Sequence, residues 1–255
     1  MRTLFSVCAL LLLGACSTTV GASRLIAMTV IDRQQNQPYT TYYQTGKRYV
    51  AGNPGERYAI RLNNLSNERV LAVLSVDGVN AVTGETAGAQ QSGYVLAPYA
   101  SVEIAGWRKS ESEVAQFYFT ALPDSYAART GRPENVGVIG VAAFREKTQA
   151  QPIAIAPEAR YQMQDTRSTA SKAATMGALA ESAPQKRERL GTGHGAREYA
   201  PVARVEFERR SSNPEQIISL FYDSRANLIA RGIIPQPAPH YYPQPFPQGF
   251  VPDPS

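Results

Sequence analysis

Few side chains in this sequence carry catalytic chemistry, and their spacing narrows the choice further. There are two cysteines, Cys8 and Cys16, and two histidines, His194 and His240. His194 stands in Gly191-Thr192-Gly193-His194-Gly195-Ala196-Arg197-Glu198. Flanking glycines let a ligand approach the main chain, and an imidazole can act as a base. His194 is therefore the candidate for a hydrolase-type site, with Glu198 or another carboxylate to orient it. The plainer account is a glycine-rich turn leading into the next strand. His240 lies beside Tyr241 and Tyr242 in a proline-rich stretch and is a poor catalyst. With so few His and Cys a metal would depend on distant carboxylates, so neither a metal nor a cofactor is expected. No Gly-x-Ser-x-Gly elbow or Ser-x-x-Lys element is present, which leaves serine catalysis unsupported. Asp77 and Glu85 are far enough apart to pose as a glycosidase pair, but the turn that Asp77 forms with Gly78 already accounts for it. Gly106-Trp107-Arg108-Lys109-Ser110 holds the single tryptophan beside two cations. Exposed, Trp107 and Arg108 would stack on a sugar or anchor a partner; buried, Trp107 covers the edge of a core. Tyr39, Tyr42, Tyr43 and Tyr49 cluster, which suits an interface and equally suits strands.

The elements that must position these residues have a period of two. Tyr58, Ile60 and Leu62 alternate with Arg57 and Arg61; Ala115, Phe117, Phe119 and Ala121 alternate with Gln116, Tyr118 and Thr120. Leu25–Val30, Val70–Val76 and Val136–Phe144 are apolar on both faces and read as strands between two layers. Asp77-Gly78 between apolar runs predicts a type I′ hairpin. Short strands follow at 94–96, 101–104, 202–209 and 216–222. Leu228, Ile229, Arg231 and the stop signal Gly232 predict a short helix over 223–231. These features predict a mainly β fold, an antiparallel β-sandwich or jelly-roll, with one low-complexity, partly helical insert and a short C-terminal helix.

Composition sets the outer bounds. Hydrophobic residues make up 43% of the 255, enough for a core, which excludes disorder throughout. The net charge of +5 is too dilute for a dedicated nucleic-acid binder, and no nucleic-acid partner is expected. Residues 146–195 are rich in Ala, Ser, Thr and Gln and read as an insert or mobile arm; Pro235–Ser255 holds eight prolines and reads as extended tail.

The N-terminus reads as an address. Leu4–Ala15 is an apolar run of 12 residues after Arg2. As a helix it reaches about 18 Å, short of a hydrocarbon core of about 30 Å, and it fits the h-region of a secretory signal peptide. It ends in Leu13-Gly14-Ala15-Cys16, which resembles a bacterial lipobox. The resemblance implies cleavage before Cys16, a diacylglycerol thioether on its thiol and a third acyl chain on its freed amine. Ser17, rather than Asp, implies the outer membrane, with the domain facing the periplasm. Cleavage after Ala22 would instead give a soluble periplasmic protein. With Cys8 discarded and Cys16 acylated, the folded domain keeps no free thiol.

The resulting organisation is a signal peptide at 1–15, a lipidated tether at 16–23, one β-sandwich domain at 24–232 and a proline-rich tail at 233–255. The stretch from Tyr58 to Phe144, with Ser75-Val76-Asp77-Gly78-Val79-Asn80, Gly106-Trp107-Arg108-Lys109-Ser110 and Ser125-Tyr126-Ala127-Ala128-Arg129-Thr130-Gly131, resembles a group of uncharacterised proteobacterial envelope proteins. That resemblance implies no activity. The expected function is a lipid-anchored envelope protein whose sandwich is a binding or structural module for an envelope protein or glycan. The alternative is a periplasm-facing hydrolase using His194.

Overall fold

Alternating side chains decide which faces of the strands meet. The computed structural model describes residues 24–147 and 189–236. The expected signal peptide, Cys16 and the expected tether, residues 148–188 of the expected insert and the tail beyond Gln236 lie outside the described residues. Within them the chain is mainly β, with strands β1 (Ile26–Asp32), β2 (Gln37–Pro38), β3 (Thr41–Gln44), β4 (Lys47–Gly52), β5 (Arg57–Asn64), β6 (Val70–Val76) and β7 (Val79–Asn80). Strands β8 (Tyr94–Leu96), β9 (Ser101–Ile104), β10 (Gly106–Arg108), β11 (Glu113–Ala121), β12 (Val138–Arg145), β13 (Leu190–Tyr199) and β14 (Gln216–Ser224) follow, with short helices α1 (Tyr126–Arg129) and α2 (Arg225–Ala230).

These strands form two sheets. The first runs β10-β11-β5-β1-β2, with β13 paired to β11 and β9 to β5. The second runs β3-β4-β14-β12-β6-β7, with β8 paired to β6. The pairings are antiparallel except that of β14 with β4, which sets Phe221 opposite Tyr49. Between the sheets lie Tyr58, Ile60 and Leu62 of β5, Phe117 and Phe119 of β11, and the inward residues of β6, β12 and β14. The Tyr58 ring stacks on both phenylalanines, at 5.4 and 4.4 Å between centroids. The outward residues Leu71, Val73 and Phe144 form a second cluster with Phe207, so β6 and β12 are buried on both faces, as their unbroken apolar runs require. A third cluster joins Tyr49 to Leu228 of α2 and to Ile233 and Ile234. Those two isoleucines therefore belong to the folded domain rather than to the tail that was expected to begin at 233.

Local signals account for the boundaries. Asp77 and Gly78 both have positive φ, 53° and 73°, as a type I′ turn demands. The side chain of Ser224 caps α2 by accepting from the Asn227 N–H at 3.2 Å, and Gly232 (φ 69°) ends it.

One expected strand is displaced. Residues 202–209 make no ladder; a single bridge joins Arg209 to Glu146. The strand lies upstream, in β13, and takes Leu190–Gly195 out of the expected insert. A run of alternate glycines suggests a turn by propensity, but here tertiary contact decides. A Cβ on Gly193 would sit 2.2 Å from Cζ of Tyr118, one on Gly195 2.9 Å from the Gln116 carbonyl oxygen, and one on Gly191 2.6 Å from Cβ of Ser125. Glycine is what allows β13 to lie along β11 beneath the Tyr118 ring. Gly191→Ala should therefore destabilise the domain by about 2 kcal/mol through overpacking, a loss of roughly 5 °C in Tm by thermal denaturation. A glycine in a free turn would tolerate the change.

Candidate functional site

Trp107 and Arg108 are consecutive on β10 and so point to opposite faces. Trp107 turns inward and is 2% exposed. It meets Phe117 edge-on at 4.8 Å, lies tilted against Tyr126 at 4.8 Å, and stacks over His194 at 6.2 Å. Its Nε1–H is buried and, among the described residues, has no hydrogen-bond partner. His194, half-buried on β13, also touches Tyr126 at 5.2 Å. Burial lowers the His194 pKa, and Lys109, Arg129 and Arg197 lower it further, against a raising hydrogen bond from the main chain. The imidazole is thus neutral at pH 7 and packs among rings. Glu198 is engaged elsewhere: Arg33 donates to both its oxygens at 2.5 and 2.6 Å and Gln116 donates at 2.7 Å, which hold it below the usual carboxylate range. Two of the sequence candidates, Trp107 and His194, are brought together; Arg108 is directed away from them, and Cys16 lies outside the described residues.

The side chain that sequence reasoning missed is Asp77. Its place in the turn is as expected, and Glu85 is exposed and not paired with it. Its carboxylate, however, is 0% exposed at the heart of the sandwich. Oδ1 accepts from the Tyr222 hydroxyl at 2.5 Å and from the Gly137 N–H at 2.9 Å; Oδ2 accepts from the Thr192 N–H at 2.8 Å. Thr192 Oγ1 lies 2.7 Å from both the Tyr222 and Tyr58 hydroxyls. Proton counting fixes the directions. Tyr222 spends its one proton on Asp77, so Thr192 donates to Tyr222 and Tyr58 donates to Thr192. The chain Tyr58–Thr192–Tyr222–Asp77 crosses from the first sheet to the second. Burial raises the Asp77 pKa from 3.8 to about 6, outweighing the hydrogen bonds from Tyr222, Gly137 and Thr192 that lower it. Burial likewise lifts both tyrosines well above their ordinary range. The only sequence cue was an acidic residue directly after a strand apolar on both faces.

Arg108 opens on a different feature, a groove of about 700 Å³ at the sandwich edge, where β8 of the second sheet approaches β9 and β10 of the first. Tyr94, Val95, Val102, Arg108, Lys109 and Glu111 line it together with Val202, Ala203, Arg204 and Val205 of the segment that follows β13. Main-chain bonds from Ala200 N to Ser112 O and from Val202 N to Glu111 O, both 2.8 Å, hold that segment in place. Arg108 donates through Nη1 to the Ala200 carbonyl, and its guanidinium lies beside the buried Tyr94 hydroxyl. Burial raises the Tyr94 pKa, and the charge of Arg108 and a side-chain hydrogen bond from it oppose the rise. Among the described residues no group of three or more His, Cys, Asp or Glu stands close enough to hold a metal ion. Comparison with known proteins finds no matching family model, no similar curated protein and no matching solved structure.

The Asp77 environment makes a signed prediction. A carboxyl whose folded pKa is about 6 against 3.8 adds stability below pH 3.8 that is lost as pH rises through 6. Asp77→Asn removes that titration and sets an amide NH2 against a main-chain donor. Urea titrations should show the wild type losing about 2 kcal/mol relative to the variant between pH 4 and pH 7. A difference between the two proteins that stays constant over that range would contradict the assignment.

Proposed function

We propose that this chain is a lipid-anchored cell-envelope protein, held at the periplasmic side of the outer membrane through Cys16, whose β-sandwich binds another envelope component. The observation that carries the binding reading is the groove at the sandwich edge. Five valines, Val82, Val95, Val102, Val202 and Val205, line it together with Tyr94, the cations Arg108, Lys109 and Arg204, and the acid Glu111. Binding sites combine an apolar concavity with a few placed polar groups in this way. The buried polar groups of the interior have a different role: Asp77, Thr192, Tyr58 and Tyr222 satisfy one another and join strands. The aromatic set of Trp107, Tyr126 and His194 packs the core edge.

The anchor is supported by Leu13-Gly14-Ala15-Cys16 at the end of the apolar run, followed by a tether of small polar residues up to Ser23. Seven tether residues reach at most about 25 Å, which keeps the domain close to the membrane surface. Three acyl chains make retention effectively permanent, since each buried methylene contributes about 0.8 kcal/mol. Cys16→Ala should move the protein from the membrane pellet to the soluble fraction and abolish incorporation of labelled palmitate. Identical partitioning of variant and wild type would overturn the anchor and favour cleavage after Ala22.

A further inference from the structure

We infer that one end of the sandwich, formed by the loop between β5 and β6 and the turn between β8 and β9, is the face that lies against the lipid bilayer, with Leu65 and Tyr99 seated among the headgroups. This rests on the reading of the chain as anchored through Cys16, and it states how the anchored domain sits on its membrane.

Position is the first argument. Strand β1 begins at this end, and its entry is fixed. Gln216 Oε1 accepts from the Leu25 and Ile26 N–H groups, both at 2.8 Å, and Gln216 Nε2 donates to the Ile26 carbonyl at 3.2 Å. The Leu65 N–H donates to the Leu25 carbonyl at 2.9 Å, so the loop after β5 lies beside the point where the chain enters. The turn after β8 joins it there: the Tyr99 N–H donates to the Ser66 carbonyl at 3.1 Å and the Asn64 N–H to the Ala100 carbonyl at 2.9 Å. The buried Asn64 side chain ties the two together, with Nδ2 donating to the Glu68 and Ala97 carbonyls at 2.7 and 2.9 Å. Strand β6 runs from Val70, beside this end, to Val76 at the other, about 20 Å away. The tether's seven residues span at most about 25 Å. A domain held on that tether therefore rests this end on the bilayer with the least extension of the chain.

Surface chemistry is the second argument and is independent of the first. Tyr99 is 71% exposed and Leu65 45%, and Ala97 and Pro98 beside them are exposed as well. Tyr99 has a φ of 57°, a left-handed conformation uncommon for a bulky residue and ordinary for glycine. The turn thus accepts backbone strain and holds an aromatic ring out of the core. Tyrosine is enriched at the headgroup level of membranes because its ring is apolar and its hydroxyl stays wet. Charge does not oppose the contact. Glu68 of the loop is held by Arg145 and Arg210 at 2.6 and 2.8 Å, and Glu103 of β9 by Arg61 at 2.9 Å. The exposed Arg24 adds a cation at the entry point, which an anionic lipid surface attracts. Projecting loop tips make a poor protein interface, which takes roughly 800 Å² of fitted surface from each partner, whereas headgroups give way around single side chains.

The test uses the full chain reconstituted into vesicles of phosphatidylethanolamine and phosphatidylglycerol. One NBD fluorophore is attached through Leu65→Cys, Tyr99→Cys or Glu134→Cys; with Cys8 removed and Cys16 acylated, the introduced thiol takes the label alone. Glu134 is exposed in the turn before β12, at the far end of the sandwich. Phospholipids carrying a nitroxide near the headgroup should quench the label at 65 and at 99 at least about threefold more than at 134. Tyr99→Gly suits the left-handed backbone, so it should leave the Tm unchanged or higher while cutting the quenching at position 65 by about half. Equal quenching at all three positions, in a chain that floats with the vesicles, would overturn the membrane face and leave the anchor standing. Labels at 65 and 99 that are shielded from aqueous iodide yet unquenched by the nitroxide lipid would also overturn it, by showing that protein covers this end. A wild-type chain that does not float with the vesicles would remove the anchor and, with it, the membrane face.

Discussion

A carboxylate with no access to water sets the terms for this fold. Asp77 can be buried only because Tyr222, Gly137 and Thr192 supply donors to both its oxygens, and those donors come from different strands and from both sheets. Removing any one leaves charge in a low-dielectric interior, so the partners must hold their register together. The turn that presents Asp77, the approach of β13 to β14 and the start of β12 are thereby coupled. The apolar core supplies most of the driving force for folding, but apolar contacts alone tolerate sliding of one sheet over the other. The polar chain from Tyr58 to Asp77 does not.

That constraint also separates structure from function in space. The interior polar atoms of the chain are paired with one another, and the ring cluster around Trp107 continues the core to its edge. One buried donor of that cluster, the Trp107 Nε1–H, has no hydrogen-bond partner among the described residues, and the Arg108 side chain and the Tyr94 hydroxyl border the groove at the sandwich edge. Strand geometry links the two regions directly. Trp107 fixes β10 against the core, and the same strand then projects the next side chain, Arg108, toward the opposite face. A module built this way has one wall set by the sandwich and another held by main-chain bonds at Ala200, Val202 and Glu208, by the Arg204–Glu111 ion pair and by Arg69 at the Glu206 carbonyl.

Much of this was legible in the residues and some was not, for reasons that can be named. Strands β5, β11 and β12 follow from simple alternation or unbroken apolar runs, because each has at least one face committed to a single large core. The Asp77-Gly78 hairpin and the capped helix α2 follow from local conformational demands that hold anywhere. β13 escaped because its glycines answer to Tyr118, Gln116 and Ser125, which are distant in sequence; propensity alone reads such a run as a turn. Residues 202–209 misled for the converse reason. Their alternation is real, but only Phe207 reaches a cluster, and no neighbouring strand supplies a ladder. Of the candidate site residues, Trp107 takes the second of its two readings and packs the edge of the core. The acceptor at the centre of the domain was passed over because a turn already explained it. A residue can satisfy a backbone requirement and a buried electrostatic one at once, and the sequence pattern displays only the first.

The coupling of Asp77 to Tyr222 is open to direct measurement by a double-mutant cycle. Asp77→Asn, Tyr222→Phe and the combined variant would be compared with the wild type by urea unfolding at pH 7. If the two side chains act as one unit of the buried polar chain, the combined loss falls short of the summed single losses by at least about 1 kcal/mol. Additive losses would show that the two residues stabilise the domain separately and would contradict the polar chain as a single coupled unit.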